Sequence, residues 1–370
     1  MMGNMHDAEE TLSDSLTDAS LRRCKERSAE IEAEISDNPA RFRVLTGDRP
    51  TGNLHLGHYF GTLKNRVDLQ ARGVDTWLVI ADYQVITDRD GTGPVKERVY
   101  SLLADYLACG IDPTTATIFT HSAVPSLNQL MLPFLSLVTE SELHRNPTVK
   151  AELEASDRAM SGLLLTYPVH QAADILFCRA NLVPVGQDQL PHLEQTRLIA
   201  DRFDKRYRRK SALTRRVFPR PEALLSQASH VLGLDGTKMS KSRGNAIELA
   251  MSADETAKLI RKAKTDSDRV ITFDPVARPE VSNLLTLASL AGAGDPREIA
   301  ASIGDQGAGA LKRVVTDALN AMLEPIRVKR AALLDDRTYL REVLTAGNER
   351  ANAEGEETLA LVREAMSMVY

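Results

Sequence analysis

The alternation of short apolar runs with helical patterns constrains this chain more than any other feature. "RFRVLTG" (41–47), "TWLVIAD" (76–82) and "TIFTH" (117–121) are apolar or β-branched runs of strand length, and a helical pattern separates each from the next. Leu56, Phe60, Leu63 and Val67 recur at spacings of four, three and four. A second helix is expected from Pro94, a good first helical residue, to Gly110. Strands alternating with helices in this way imply an α/β fold, a doubly wound parallel sheet covered on both faces.

Farther along the chain the strand pattern stops. After the loop "LDGTKMSKSRGNAIEL" (234–249), Leu311, Val314, Val315, Ala318, Leu319, Met322 and Ile326 form one apolar stripe at helical spacing, and 339–369 is again helical in character. At 370 residues with 43% hydrophobic content, two domains are expected. The divisions are an acidic helical N-terminal extension over 1–40, an α/β domain over 41–240, and a helical domain over 241–370. The extension reads as a polar helix capped at Thr17 or Asp18 and stopped before Pro39, an appendage of unassigned role. It carries ten acids against four bases, which outweighs the formal charge of −5, so the body of the chain is not acidic. Cys24, Cys109 and Cys178 are far apart without a CxxC pair, which argues against a disulfide framework, a zinc site or an iron–sulfur cluster. No metal-ligating set is expected, no apolar run reaches membrane-spanning length, and a reducing cytoplasm fits best.

Two stretches carry chemistry. "VLTGDRPTGNLHLGHYFG" places glycines and Pro50 between a strand and a helix, with His55 and His58 at the helix start. In a doubly wound sheet this first crossing is where nucleotide phosphate meets helix N–H groups, and two imidazoles there can donate to phosphate oxygens as charge develops. Capping histidines with structural glycines are the bland alternative. In the second stretch, Lys238 and Lys241 sit among Ser240, Ser242 and glycines, where compact ammonium groups suit phosphate as point charges. Two such lysines taken alone would read as a solvated loop.

Together, HxGH at the start of a doubly wound domain and KMSKS after its last strand resemble the two signatures of class I aminoacyl-tRNA synthetases. "LLLTYPVHQAADILF" (163–177), "VPVGQDQLPHLEQTR" (183–197), "DRF" (201–203) and "TDSD" (265–268) are similar to segments of bacterial tryptophanyl-tRNA synthetases, and the likeness runs from about residue 42 to the C-terminus. The resemblance implies a Rossmann-like catalytic domain, ATP and Mg2+ as cofactors, and L-tryptophan and tRNA(Trp) as partners. It also implies a homodimer in which an insertion at about 122–165 of the catalytic domain (41–240) forms the interface, and a helical domain (241–370) that reads the anticodon. His55, His58, Lys238 and Lys241 would be the catalytic residues. ATP would further meet Arg49, Thr51 and Gly57, Gly186 and Asp188, and Met239, Ser240 and Ser242 of the lysine loop. Tryptophan would meet Leu45, Gly47 and Gln84, then Tyr167, Gln171 and Asp174, then Val183, Val185 and Gln189. Asp174 would accept from the indole N–H, which can only donate. A carboxylate inside the apolar "AADIL" is costly without a donor, and a ligand N–H would supply one.

The family commonly has Phe, Gln, His and Met where this chain has Leu45, Arg49, Gln84 and Gln171. These departures leave the reaction intact and alter the pocket's fine structure. Tyr167, Gln171 and Asp174 are also similar to the tyrosine-binding helix of archaeal-type tyrosyl-tRNA synthetases, which makes tyrosine the rival substrate. "VPVGQDQ", "NPTVKAE" and "ALKRVV" look tryptophanyl. A synthetase-like protein that binds RNA or a protein without catalysis is the other alternative, and both signatures being intact argues against it. Finally, "RFDKRYRRKSALTRRVFPR" (202–220) has nine lysines and arginines against one aspartate, which suits phosphate contact with a tRNA.

Overall fold

The computed structural model describes residues 21–86, 93–154, 159–186, 189–225 and 231–370. Five parallel strands form one sheet in the order β3-β2-β1-β4-β5, with β1 at Arg43–Asp48, β2 at Asp75–Ile80, β3 at Thr117–Thr120, β4 at Leu182–Val185 and β5 at Glu222–Leu225. The first three are the strands read from the sequence. β4 and β5 were not read as strands: each has four residues, and Pro184 lies in β4. The strand order reverses between β1 and β4, and the carboxyl ends of these two strands open a crevice there.

Side-chain alternation sends each strand's residues into two cores. Leu45, Trp77, Val79, Phe119 and Val183 face one core, where Phe177 meets Trp77 and Phe119 edge to face. Leu78, Ile80 and Ile118 face the other, packed on Leu102, Leu103 and Leu107 of helix Val95–Ala108. That helix starts one residue after Pro94, which is its N-cap. The run beginning at Leu56 is helical as expected but passes through a π turn at Tyr59–Leu63. The turn brings Phe60 and Leu63 to the core.

Two expectations are modified. Residues 21–37 are helical, and Ile31 and Ile35, spaced one turn apart, are fully buried against Val44, Leu69, Leu182 and Leu224. Arg27 also bridges to Glu222 at 2.5 Å, so this part of the extension is packed onto the sheet; the expected cap at Thr17 or Asp18 lies outside the described residues. At the other end, helix Ala308–Asp335 carries the expected apolar stripe, but helix Arg337–Ala365 returns to cover strand β3. Gly347 permits the approach, since a Cβ there would stand 1.8 Å from the Ile118 carbonyl oxygen. Asn348 accepts from the Thr120 amide at 3.0 Å, satisfying a donor of an edge strand.

Candidate active site

The strand-to-helix crossing after β1 puts His55 at the N-cap of the helix beginning at Leu56. The Gly57 amide donates to His55 Nδ1 at 3.1 Å, and the His55 amide donates to His58 Nδ1 at 3.2 Å. Each neutral ring must therefore carry its proton on Nε2. Burial, with His58 and Lys241 nearby, pushes the His55 pKa down to about 3; burial also lowers that of His58. The capping reading and the catalytic reading are thus compatible: Nδ1 caps the helix, and Nε2–H remains a donor.

Backbone pairing brings the lysine loop to this turn. The Leu56 amide donates to the Ile247 carbonyl and the Leu249 amide to the Leu54 carbonyl, both at 2.9 Å. Buried Met239 accepts from the Gly57 amide at 3.3 Å through its sulfur, and Lys241 Nζ donates to the Asn53 carbonyl at 2.9 Å. Asn245 ties the loop together by accepting from the Ser240 amide and donating to Asp235, each at 2.8 Å. Gly244, at φ 64°, closes the short turn Lys241–Arg243. Lys241 is thus held at the histidine turn, whereas Lys238 and Ser242 are exposed on the loop.

At the β1/β4 crevice lies a cavity of about 380 Å³. Leu45, Gly47 and Gln84 line it from β1 and the turn after β2; Tyr167, Gln171 and Asp174 line it from helix Gly162–Phe177. Val183, Val185 and Gln189 complete the expected set, with Arg49 and Gly186 beside them. Asp188 lies outside the described residues, and Thr51 is exposed on the turn before the histidines. Asp174 is 3% exposed, with Oδ1 paired to His121 Nε2 at 3.0 Å. Burial would raise the Asp174 pKa, but His121 and His170 hold it below the ordinary carboxylate value. Burial likewise opposes charge on His121, yet Asp174 and Asp82 lift its pKa above the usual imidazole value.

Several neighbours were not anticipated from the sequence. Asp48, the last residue of β1, accepts from Tyr106 at 2.6 Å and pairs with fully enclosed Arg66, fixing the cavity wall below His58. His192 meets the Tyr167 hydroxyl at 3.0 Å. His121 follows the last residue of β3, and its position at a strand's carboxyl end was the available signal.

A buried ion pair fastens the helical part of the chain to this site. Arg330, on helix Ala308–Asp335, donates to Asp105 at 2.5 Å and to Ser101 at 2.6 Å; Asp105 also accepts from the Leu54 amide at 3.3 Å. Burial raises the Asp105 pKa in spite of Arg330, so the carboxyl can escape an unpaired charge by taking a proton. Arg330→Ala is accordingly expected to lower stability by about 3 kcal/mol, the low end for breaking a buried pair, and to raise the KM for ATP. Denaturant melts and exchange kinetics on the variant check both effects.

The geometry is that of a nucleotide-activating enzyme of the class I synthetase type: the lysine loop is joined to the histidine turn after β1, and a small-molecule cavity opens at the β1/β4 crevice. The chain belongs to the class I tRNA synthetases of the tryptophan and tyrosine branch: the family model described as "tRNA synthetases class I (W and Y)" matches residues 37–324. It is 40% identical to the Tryptophan–tRNA ligase of Treponema pallidum over 345 residues, 88% of this chain and 97% of that protein. The solved tryptophanyl-tRNA synthetase of Campylobacter jejuni, complexed with ADP and tryptophane, superposes with a TM-score of 0.77 at 30% identity, covering 88% of this chain and 99% of its own. A tyrosyl-tRNA synthetase complexed with L-tyrosine from Archaeoglobus fulgidus superposes at 0.60 with 22% identity over 83% of this chain and 94% of its own, a likeness of fold alone.

Proposed function

We propose that the protein is an ATP-dependent tryptophan–tRNA ligase. A tryptophan carboxylate oxygen attacks the α-phosphorus of ATP, the bond to the bridging oxygen breaks, and pyrophosphate leaves tryptophanyl adenylate behind. A ribose hydroxyl at the tRNA(Trp) terminus then attacks the carbonyl and AMP departs. The observation that carries this reading is Asp174: a buried carboxylate on the cavity wall, with one oxygen turned to His121, offers its other oxygen to an indole N–H. Tryptophan- and tyrosine-dependent ATP–pyrophosphate exchange, run separately, tests it; exchange driven by tyrosine alone would favour the rival.

The chemistry is positioning and charge stabilisation, with no covalent nucleophile needed. Nε2–H of His55 and His58 would donate to phosphate oxygens, and Lys241, with Lys238 swung in, would hold the leaving pyrophosphate. Magnesium would neutralise the phosphates and be bound chiefly through them, in keeping with Asp48 already being engaged by Arg66 and Tyr106. Residues 241–370, apart from helix Arg337–Ala365 on β3, would form the anticodon-reading domain, 122–165 would meet the partner of a homodimer, and the enzyme would work in the cytoplasm. Among the described residues no helix is long and apolar enough to cross a membrane.

The basic run divides in two. Arg208, Arg209 and Arg216 converge on Asp204, and Arg202 pairs with Glu142, so these arginines serve the fold. Lys205, Lys210 and Arg215 are exposed and carry none of these pairings. Replacing these three by Gln is expected to raise the tRNA KM and lower the salt slope of binding by about 2–3, with tryptophan-dependent exchange unchanged. Aminoacylation across a salt series provides the check.

A further inference from the structure

His121, His170 and Asp174 each place one potential ligand atom within 4.8 Å of the others, and all three residues are buried. His170 and Asp174 lie one turn apart on a single face of helix Gly162–Phe177, and His121 approaches from the end of β3. His121 Nδ1 has no hydrogen-bond partner although buried, and His121 Nε2 and Asp174 Oδ1 have only each other, 3.0 Å apart. Interior polar atoms are rarely left so. The tautomer of His170 follows from Asn128, whose Nδ2 donates to the carbonyls of His121 and Val124 at 3.3 and 3.4 Å. Asn128 Oδ1 is therefore the acceptor, His170 Nε2 donates to it at 3.0 Å, and the lone pair of the neutral ring is on Nδ1. Metal-binding imidazoles are characteristically anchored through their other nitrogen in this manner.

We propose that His121, His170 and Asp174 bind one divalent transition-metal ion of the zinc type, beside the cavity and separate from the magnesium carried by ATP. Two imidazole nitrogens and one carboxylate oxygen suit Zn2+, Co2+ or Ni2+ better than Mg2+ or Ca2+, which prefer oxygen-only shells. The 3.0 Å between His121 Nε2 and Asp174 Oδ1 is close to the roughly 3.3 Å that bonds of about 2.0 Å impose between two ligands of a tetrahedral ion. Three protein ligands leave a fourth position for water. The lack of paired cysteines speaks only against thiolate sites, which this is not. On the tryptophan reading, on which this role alone rests, the ion fixes Asp174 through Oδ1 and leaves the other oxygen for the indole.

The test is a titration of chelator-stripped full-length protein with Zn2+ and Co2+, followed by calorimetry and by visible Co2+ absorption. One ion per chain is expected, with a spectrum free of thiolate charge transfer. His121→Gln and His170→Gln should each weaken binding at least about 10-fold, and Asn128→Ala, which keeps all three ligands, by about 10-fold. Substoichiometric binding by the parent, or stoichiometric binding that the histidine variants leave unchanged, overturns the site; the cluster is then an ion pair with a neighbouring histidine. Exchange with tryptophan is measured on the stripped enzyme, so failure of the metal site and failure of the assigned reaction are read separately.

Discussion

Replacing Lys241 by alanine is expected to lower kcat for tryptophan-dependent ATP–pyrophosphate exchange by about 10²- to 10³-fold, the usual loss when one preorganised donor to developing charge is removed. Tryptophan affinity, measured by equilibrium dialysis without ATP, should change by less than about twofold, because the contact strengthens only as pyrophosphate charge builds. The geometry supports this split: Nζ is held on the Asn53 carbonyl at the histidine turn, whereas the cavity wall is made by β1, β4 and helix Gly162–Phe177. Burial lowers the Lys241 pKa, with Glu248 and Asp105 opposing it, so the ammonium is already partly desolvated and gains more from an arriving phosphate than a surface lysine would. Gly52 gives an independent handle on the same contact. It stands at φ 133°, and a Cβ there would come within 2.9 Å of Nζ, so Gly52→Ala should displace the amine and reproduce part of the loss. Equal losses in exchange and in tryptophan binding would show that Lys241 does not act on the pyrophosphate.

The features legible in the sequence share a physical origin in local pattern. Strands β1 to β3 are buried on both faces and read as apolar runs, while the histidine turn and lysine loop announce themselves through glycine, proline and clustered polar groups. All nine residues assigned to tryptophan line one cavity: seven fall on the two strands and one helix that flank the reversal of strand order, and Gln84 and Gln189 come from the turns after β2 and β4. Features that escaped depend on partners distant in sequence. Arg66 looks like a surface arginine until Asp48 and Tyr106 are brought to it, and Asp105 looks out of place in an apolar helix until Arg330 arrives from 225 residues away. The basic run shows the converse, since a count of charges does not reveal that Asp204 and Glu142 already hold four of the nine. Gly347 carries no signal of its own; only its contact with the Ile118 backbone gives it a purpose.

Changing Asp174 to alanine tests the assignment of the amino acid. The carboxylate is buried beside His121 and His170, and among the described residues lining the cavity it is one of two aspartates, the other being Asp48, which Arg66 and Tyr106 already occupy. An indole N–H that loses its acceptor in such a site keeps its desolvation cost, and hydrogen bonds to charged groups contribute about 1.5–3 kcal/mol. Tryptophan's kcat/KM should therefore fall by about 10- to 150-fold, while that of phenylalanine, which has no N–H to place, should hold or rise. Asp174→Asn sharpens the result: its amide oxygen can still accept, but without charge, so discrimination should fall between the parent and alanine variants. Exchange rates for tryptophan, tyrosine and phenylalanine on the three proteins give the comparison. A tryptophan-to-phenylalanine ratio that stays constant across them would mean that the indole is recognised by another wall of the cavity, and that the buried charge of Asp174 serves only its histidine neighbours.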